Sequence, residues 1–178
     1  EPPIPGFHVT PGYLTQYDAV LVGTTPAGPD EEFCMRFIER ERNNAAVLEQ
    51  AKNDLRRQVI HGDPKVANFL FAEDSDTVVS LIDLDTVGPG LLLYDLGDFL
   101  RSCCNTGGEE VVDPSRTYFD TGPFQHAVAG YKKVAEDLLG THDKELLVDA
   151  ARLITFELGL RFFTDHLQGN RYFKTHTP

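Results

Sequence analysis

Basic residues are scarce in this chain of 178 residues, in which 16 Lys and Arg stand against 28 Asp and Glu, for a formal net charge of −12. Nucleic acids and anionic membrane surfaces are bound through clustered Lys and Arg. The charge balance therefore argues against both as partners. It is compatible with Mg²⁺, with a cationic substrate, or simply with a solvated acidic surface.

Long hydrophobic runs are also missing, since no apolar stretch approaches the ~20 residues of a transmembrane helix. Nothing at the start of the chain has the pattern of a signal peptide. The first residue is Glu1 and not Met, so we expect a fragment, a cleaved product or an incomplete chain. With 41% hydrophobic residues, the composition is typical of a globular domain in water.

Cysteine is rare, with three residues, two of them adjacent: Cys34, Cys103 and Cys104. An odd count is not typical of a disulfide framework, and the adjacent pair has no partners at zinc-ligand spacing. We therefore expect a reduced, cytoplasmic protein. Most histidines show no ligand spacing either and are interpreted as surface or partly buried side chains: His8, His126, His142, His166 and His176.

Hydrophobic periodicity predicts a mostly helical α+β fold with a small β-hairpin. Residues 11–22 are predicted to form a short helix with Pro11 near its first turn, and apolar residues at helical spacing predict helices from Asp30 onward and over 47–55. Further apolar residues at helical spacing predict helices around residues 96–103, 124–138 and 146–158.

Short apolar runs between these helices predict the strands. Residues 58–61 form one, and residues 69–71 and 77–82 flank a turn-rich segment, which is a hairpin signal. The run GPG at residues 88–90 predicts a loop.

A polar loop whose side chains could take part in catalysis follows the first strand, in the run HGDPKVAN at residues 61–68. A loop held by strands can aim the carboxylate of Asp63 at a substrate hydroxyl while Asn68 faces a metal ion. Lys65 can neutralise charge on a transferring phosphoryl group. The alternative is a simple turn, because Gly, Asp and Pro are all turn residues.

A second carboxylate pair, Asp83 and Asp85, follows the next strand. Period-2 spacing predicts that both lie on one face of the strand end. Two close carboxylates repel each other unless a cation or donor compensates, so a divalent metal is inferred; the alternative is a solvated acidic turn. Phosphoryl transfer needs both motifs: a carboxylate for the hydroxyl proton, and an amide oxygen with another carboxylate for Mg²⁺ on the triphosphate.

Three further polar residues are expected to stabilise the fold around these motifs. Asp95 and Asp98 are expected to open the next helix, as a cap or a dipole partner. His61 is expected to pack under the polar loop and to hydrogen-bond the backbone.

At these motifs the chain resembles the aminoglycoside phosphotransferase and choline kinase group of small-molecule kinases, distant relatives of protein kinases. Residues 61–68 resemble the family's catalytic loop, and the run IDLD at 82–85 resembles its metal-binding strand. Four runs of the chain resemble the N-acetylhexosamine 1-kinase branch of that group: IDLDTVGPGL at 82–91, YDLGD at 94–98, RFFTDHL at 161–167 and YFK at 172–174.

The resemblance implies a protein-kinase-like C-terminal lobe over residues 1–178, with ATP as co-substrate and Mg²⁺ as cofactor. It implies that Asp63 is the catalytic base, that Asn68 and Asp83 ligate Mg²⁺, and that Asp85 supports a second ion or the hydroxyl. Asp95 would brace the catalytic loop from the following helix. Weaker candidates would line the acceptor pocket: Arg101, Asn105, Arg161 and Tyr172.

The family's nucleotide-binding lobe has no counterpart in the sequence. The Gly-containing segment 23–29 lacks flanking strands and holds too many prolines for a phosphate loop. We therefore expect a lobe whose N-terminal partner lobe is missing and which is inactive alone.

The sequence is compatible with four functions. The leading hypothesis is an ATP-dependent kinase that acts on a small-molecule hydroxyl, foremost a sugar such as an N-acetylhexosamine. An aminoglycoside or amino-alcohol kinase is slightly favoured by the acidic balance, and a non-catalytic binding module stays open. A metal-dependent hydrolase ranks last, because the histidines usual in such sites are absent.

Overall fold

The computed structural model describes residues 3–108 and 114–173, so Lys174 and His176 lie outside the described residues. The described part is mostly helical with two small antiparallel sheets, which is the α+β class that the sequence predicts. Among these residues, no helix combines the length and apolarity needed to cross a membrane.

The described residues form seven α-helices and four short strands. The helices are α1 (Thr10–Leu21), α2 (Pro29–Glu41), α3 (Val47–Ala51), α4 (Leu92–Cys103), α5 (Thr121–Ala135), α6 (Thr141–Glu145) and α7 (Leu147–Leu167). The strands are β1 (Arg57–Ile60), β2 (Phe69–Phe71), β3 (Val78–Leu81) and β4 (Gly88–Leu91).

The first helices begin where the sequence predicts. Both α1 and α2 carry a proline in their first turn, where its missing N–H costs nothing. In α2 the first turn also holds three carboxylates that favour the positive end of the helix dipole. The helix predicted over residues 47–55 is wrong at its end, because α3 stops at Ala51 and Leu55 lies buried in the turn that follows.

The strands form two separate two-stranded sheets, and not one hairpin that carries both motifs. β2 pairs with β3, as the hairpin signal predicts, while β1 pairs with β4. The loop predicted at residues 88–90 is therefore wrong. Gly90 has no side chain, so the side chain of Ile60 occupies the space that a Cβ would take. Pro89, which has no N–H to donate, is tolerated because each strand of a two-stranded sheet is an edge strand.

The core is built around the crossing of α4 and α7. A Cβ on Gly97 would lie 2.8 Å from the carbonyl oxygen of Ala150, so the two helix backbones approach unusually closely. One buried cluster surrounds this crossing and the β1–β4 ribbon, and a second lies between α1, α2 and the later turns of α7. α4 begins at Leu92, earlier than predicted, so Asp98 lies within the helix and does not open it.

Candidate active site

Asp63 lies in the loop between β1 and a 3₁₀ turn at Val66–Asn68. Lys65 donates from Nζ to Asp63 Oδ2 at 2.8 Å. Asn68 donates its side-chain amide to the backbone oxygen of Asp63 at 2.7 Å and to Oδ2 at 3.3 Å. The three polar residues that the sequence singles out in this run therefore contact one another.

The peptide group between His61 and Gly62 is held at both ends by side chains. Its carbonyl oxygen accepts from Thr86 Oγ1 at 2.8 Å, and the Gly62 N–H donates to Asp95 Oδ1 at 2.7 Å. Gly62 has a positive φ of 89°, and a Cβ there would lie 2.9 Å from the Thr86 carbonyl oxygen. Only glycine fits this position without displacing the neighbouring turn.

The next peptide group, between Gly62 and Asp63, is held in the same way. The Gly62 carbonyl oxygen accepts from His8 Nε2 at 2.6 Å, and the Asp63 N–H donates to His61 Nδ1 at 3.3 Å. Both peptide groups that precede the Asp63 side chain therefore have their N–H and C=O fixed by side chains.

Asp95, in the first turn of α4, accepts a second bond from the His61 N–H at 2.7 Å through Oδ2. Its carboxylate thus spans two successive amides of the loop and does not cap its own helix. Burial raises the pKa of Asp95, while the two amide donors act in the opposite direction. The geometry is that of a brace between α4 and the loop.

His61 connects the Asp63 loop to the segment that carries Asp83. Its ring is buried, its Nε2 lies 3.0 Å from the Ile82 carbonyl oxygen, and its Nδ1 accepts the Asp63 N–H. This pattern requires a neutral ring that is protonated on Nε2. The Ile82 N–H in turn donates to the backbone oxygen of Asn68 at 2.9 Å, so the two predicted motifs are adjacent.

The predicted geometry of Asp83 and Asp85 is wrong, because strand β3 ends at Leu81. Asp83 adopts a left-handed backbone with φ of 65°, and Asp85 lies in the 3₁₀ turn Leu84–Thr86. Aspartate tolerates this conformation better than most residues. The two exposed carboxylates are therefore presented from a turn and do not share a strand face.

A magnesium ion fits this arrangement in its donor chemistry. Among the described residues, no group of three or more His, Cys, Asp and Glu side chains gathers as a metal site. Mg²⁺ commonly takes only one or two carboxylates and completes its shell with phosphate oxygens and water. Asn68 donates its N–H groups to Asp63, so its side-chain oxygen would be available as a hard ligand, as would the exposed carboxylate of Asp83.

The structure places two predicted acceptor-site residues in structural contacts. The Arg101 side chain is buried and pairs with Asp98 at 2.8–2.9 Å. Burial raises the pKa of Asp98, and Arg101 opposes that shift. Asn105 bonds its own loop, donating to the Gly108 carbonyl oxygen at 2.8 Å and accepting from the Gly107 N–H at 3.1 Å.

The other two predicted acceptor-site residues, Arg161 and Tyr172, belong to an aromatic cluster at the end of α7. The Arg161 guanidinium lies 5.1–5.7 Å from the ring centres of Phe7, Tyr13 and Phe173. Tyr172 is exposed.

Asp165 holds the chain segment that carries Tyr172. Its carboxylate accepts from the N–H groups of Arg171, Tyr172 and Phe173 at 2.8–3.1 Å. Burial opposes ionisation of Asp165, but these amides lower its pKa overall.

Sequence reasoning missed His8 and its partner Glu157, because nothing in the local pattern joins residues 149 positions apart. One signal was available, since Glu157 stands among buried apolar positions of α7, between Phe156 and Leu160. A carboxylate on a buried helix face needs a hydrogen-bond donor or a cation as its partner.

One comparison with known proteins bears on this site. The model of the phosphotransferase enzyme family matches residues 13–136 of the chain. The matched region includes the Asp63 loop, the Asp83 turn and Asp95, while His8, Glu157 and Arg161 lie outside it. Because the match spans more than half of the 178 residues, the chain belongs to the phosphotransferase enzyme family.

Proposed function

We propose that this chain is the catalytic lobe of a kinase that transfers the terminal phosphoryl group of ATP, with Mg²⁺, to a hydroxyl of a small molecule. The observation that carries the proposal is the Asp63 carboxylate, which emerges from two peptide groups held at every polar atom. Catalysis of phosphoryl transfer consists mostly of positioning and electrostatic stabilisation. A rigidly held carboxylate beside a hard-ligand pair suits that task.

Each polar residue has a defined part in this proposal. Asp63 accepts the proton of the attacking hydroxyl, and Lys65 balances negative charge beside it. Asn68 and Asp83 hold Mg²⁺, which neutralises charge on the phosphate oxygens when it is bound. Asp85 supports a second ion or the acceptor hydroxyl, and Asp95 and His61 keep the loop in place.

For the acceptor we propose a sugar of the N-acetylhexosamine type. The support is the resemblance over residues 82–91 and 161–167, together with the exposed Tyr172 beside the anchored Arg161 cluster. Arg101 and Asn105 would act indirectly, through the contacts described above. The net charge of −12 favours a second candidate, a cationic aminoglycoside or amino-alcohol acceptor.

We further propose that the chain works as a C-terminal lobe with a separate nucleotide-binding lobe. Residues 23–29 connect α1 to α2 without a flanking strand, so they do not form a phosphate loop. A cytoplasmic location agrees with three free thiols. Burial raises the pKa of Cys103 to about 12, so this thiol stays protonated at neutral pH and does not act as a nucleophile.

The test is Asp63→Asn in the natural full-length protein, assayed with ATP and Mg²⁺ over sugars, aminoglycosides and amino alcohols. The substitution keeps size and polarity but removes the base, so kcat should fall about 10²–10⁴-fold. The dissociation constant of the acceptor, measured by calorimetry, should change little. Asp74→Asn, on the exposed β2–β3 turn, is the matched control and should keep full activity.

Two results would contradict the proposal. Wild-type kcat in Asp63→Asn would remove Asp63 as the base. Tight acceptor binding by the wild-type protein, with no transfer to any acceptor class, would identify a binding module. Transfer to an amino alcohol and to no sugar would replace the acceptor assignment alone.

A further inference from the structure

His8 has a backbone and an environment that are unusual for a histidine outside the active-site motifs. It is 4% exposed and adopts a left-handed conformation with φ of 62°. Such a conformation is uncommon for a residue with a side chain, and it persists where the surroundings over-determine it. The contacts of the His8 ring show what fixes it.

A buried hydrogen-bonded chain runs from α1 through α7 to the Asp63 loop. Thr10 Oγ1 donates to Glu157 Oε2 at 2.7 Å, and Glu157 Oε1 lies 3.0 Å from His8 Nδ1. The other ring nitrogen donates to the Gly62 carbonyl oxygen at 2.6 Å. Thr10 and Glu157 are each 1% exposed, so the chain is closed to solvent.

The two ring nitrogens face acceptor oxygens, which favours the doubly protonated, charged ring. The Gly62 carbonyl can only accept, so Nε2 carries a proton, and Nδ1 lies 3.0 Å from a carboxylate oxygen of Glu157. Burial opposes the charged ring, but the hydrogen bond and charge of Glu157 prevail and raise the pKa of His8. A charged donor makes the bond to the Gly62 oxygen stronger than a neutral one would.

We propose that His8 is a positioning residue that sets the orientation of the Gly62–Asp63 peptide group, and through it the Asp63 carboxylate. This inference rests on the proposed function of Asp63 as the base. The opposite end of the same peptide group has only the 3.3 Å contact to His61, whereas the His8 contact is 2.6 Å. His8 therefore carries most of the restraint on a peptide whose first residue is a flexible glycine.

Two substitutions separate the halves of the His8 contact. His8→Gln can place an amide N–H near the position of Nε2 and keep the donor to Gly62. His8→Asn can reach only the position of Nδ1, so it keeps the contact with Glu157 and loses the one with Gly62. Asparagine tolerates a left-handed backbone better than glutamine, so backbone strain alone predicts the opposite ranking.

The experiment measures kcat, KM and amide hydrogen exchange of these variants in the natural full-length protein. Each kcat is calculated per molecule of folded protein, so that a loss of folding is not counted as a loss of catalysis. We expect His8→Asn to lower kcat at least about 10-fold with KM nearly unchanged, because small displacements of a reacting group are costly. The amides of Gly62 and Asp63 should exchange faster in the same variant. His8→Gln should stay within about 3-fold of wild type in kcat.

A second pair of variants tests the rest of the chain without touching His8. Thr10→Val removes the donor to Glu157 and should give a smaller fall in kcat of the same kind. Thr15→Val, also in α1, removes an exposed hydroxyl bonded only to the Pro11 carbonyl and should have no effect.

The outcomes are distinguishable from failure of the proposed function. Unchanged exchange at Gly62 and Asp63 in His8→Asn overturns the inference, as does faster exchange with unchanged kcat. If the wild-type protein transfers no phosphate, the proposed function fails and the catalytic half of the inference fails with it. The exchange comparison then still decides whether His8 restrains the loop.

Discussion

The Asp95 carboxylate accepts hydrogen bonds from two successive backbone amides. Its oxygens each accept one loop N–H at 2.7 Å, from His61 and from Gly62. Burial makes the ionised form costly and raises the pKa of the group, so the amides have to compensate for lost water. Replacing one oxygen by an NH₂ group therefore has a predictable effect.

Asp95→Asn should destabilise the fold and lower kcat together. The amide side chain can accept only one of the two N–H bonds and presents a donor to the other. Loss of a hydrogen bond to a charged group costs about 1.5–3 kcal/mol, which urea denaturation can resolve. Asp137→Asn, on an exposed turn, should change the free energy of unfolding by less than about 0.5 kcal/mol. Equal stability of both variants would show that Asp95 does not brace the loop.

At the level of single residues, the sequence singled out polar residues that are neighbours in the chain. Asp63, Lys65 and Asn68 contact one another within one short run, and turn chemistry with strand patterns suffices to find them. The relation of Asp83 to Asp85 was predicted wrongly, because one left-handed residue breaks the period of two. His8 could not be found, since its partners lie 54 and 149 positions away.

Helix α7 organises the polar groups on one of its faces. Glu157, Arg161 and Asp165 follow at steps of four, which places them above one another on the same side of the helix. Glu157 contacts the His8 ring, Arg161 faces the aromatic cluster, and Asp165 anchors the turn before Phe173. Because α7 also packs against α4, which carries Asp95, both sides of the Asp63 loop depend on this helix pair.

The α4–α7 crossing should be sensitive to one added methyl group. In Gly97→Ala the new Cβ would meet backbone atoms of Ala150 at 2.8–2.9 Å, and a backbone cannot yield as a side chain can. Overpacking costs about 1–3 kcal/mol, against a gain of about 1 kcal/mol in helix propensity. We expect a net loss of stability in thermal or urea unfolding.

Gly159→Ala is the matched control for the helix crossing. It lies in α7, and a Cβ there meets nothing within 4 Å. The same propensity gain, up to about 1 kcal/mol, should then be expressed as added stability. If Gly97→Ala were stabilised as much as Gly159→Ala, the close approach of the two helices would be refuted.

At the level of elements, helix positions were predicted better than strand pairing. The predicted bounds of α1 and the predicted starts of α2 and α7 agree with the structure to within one residue, whereas α7 continues to Leu167, beyond its predicted end at residue 158. β4 was missed because Gly and Pro indicate a loop in most contexts, while here the absent Cβ of Gly90 admits the Ile60 side chain. That fit depends on Ile60 of β1, thirty positions earlier, and no local rule contains it.

In the whole molecule, the segment before α1 connects helix α7 to the Asp63 loop. Phe7 lies against Arg161 of α7, and His8 joins Glu157 of α7 to the Asp63 loop. The family match begins at residue 13, so Phe7 and His8 lie outside the matched region. We infer that the segment couples the proposed acceptor surface to the proposed catalytic loop.

The coupling predicts how stability depends on pH. The folded-state pKa of His8 is raised above its ordinary value of 6.5, so the native state holds the proton more tightly than the unfolded chain does. The resulting stabilisation is complete below about pH 6.5 and is lost as the pH rises through the higher folded pKa. The groups that face the ring are Glu157 from α7 with Asp95, Asp98 and Tyr94 from α4.

The measurement is urea denaturation of the wild-type protein and His8→Asn at intervals from pH 6 to pH 9. Asp95 and Asp98 are present in both proteins, so their own titration largely cancels in the difference of unfolding free energies. That difference should favour wild type at pH 6 and shrink steadily toward pH 9, because only wild type loses a proton from the ring. A difference that stays constant or grows with pH would show that His8 is neutral when buried, and that a neutral ring suffices to hold the Gly62 carbonyl.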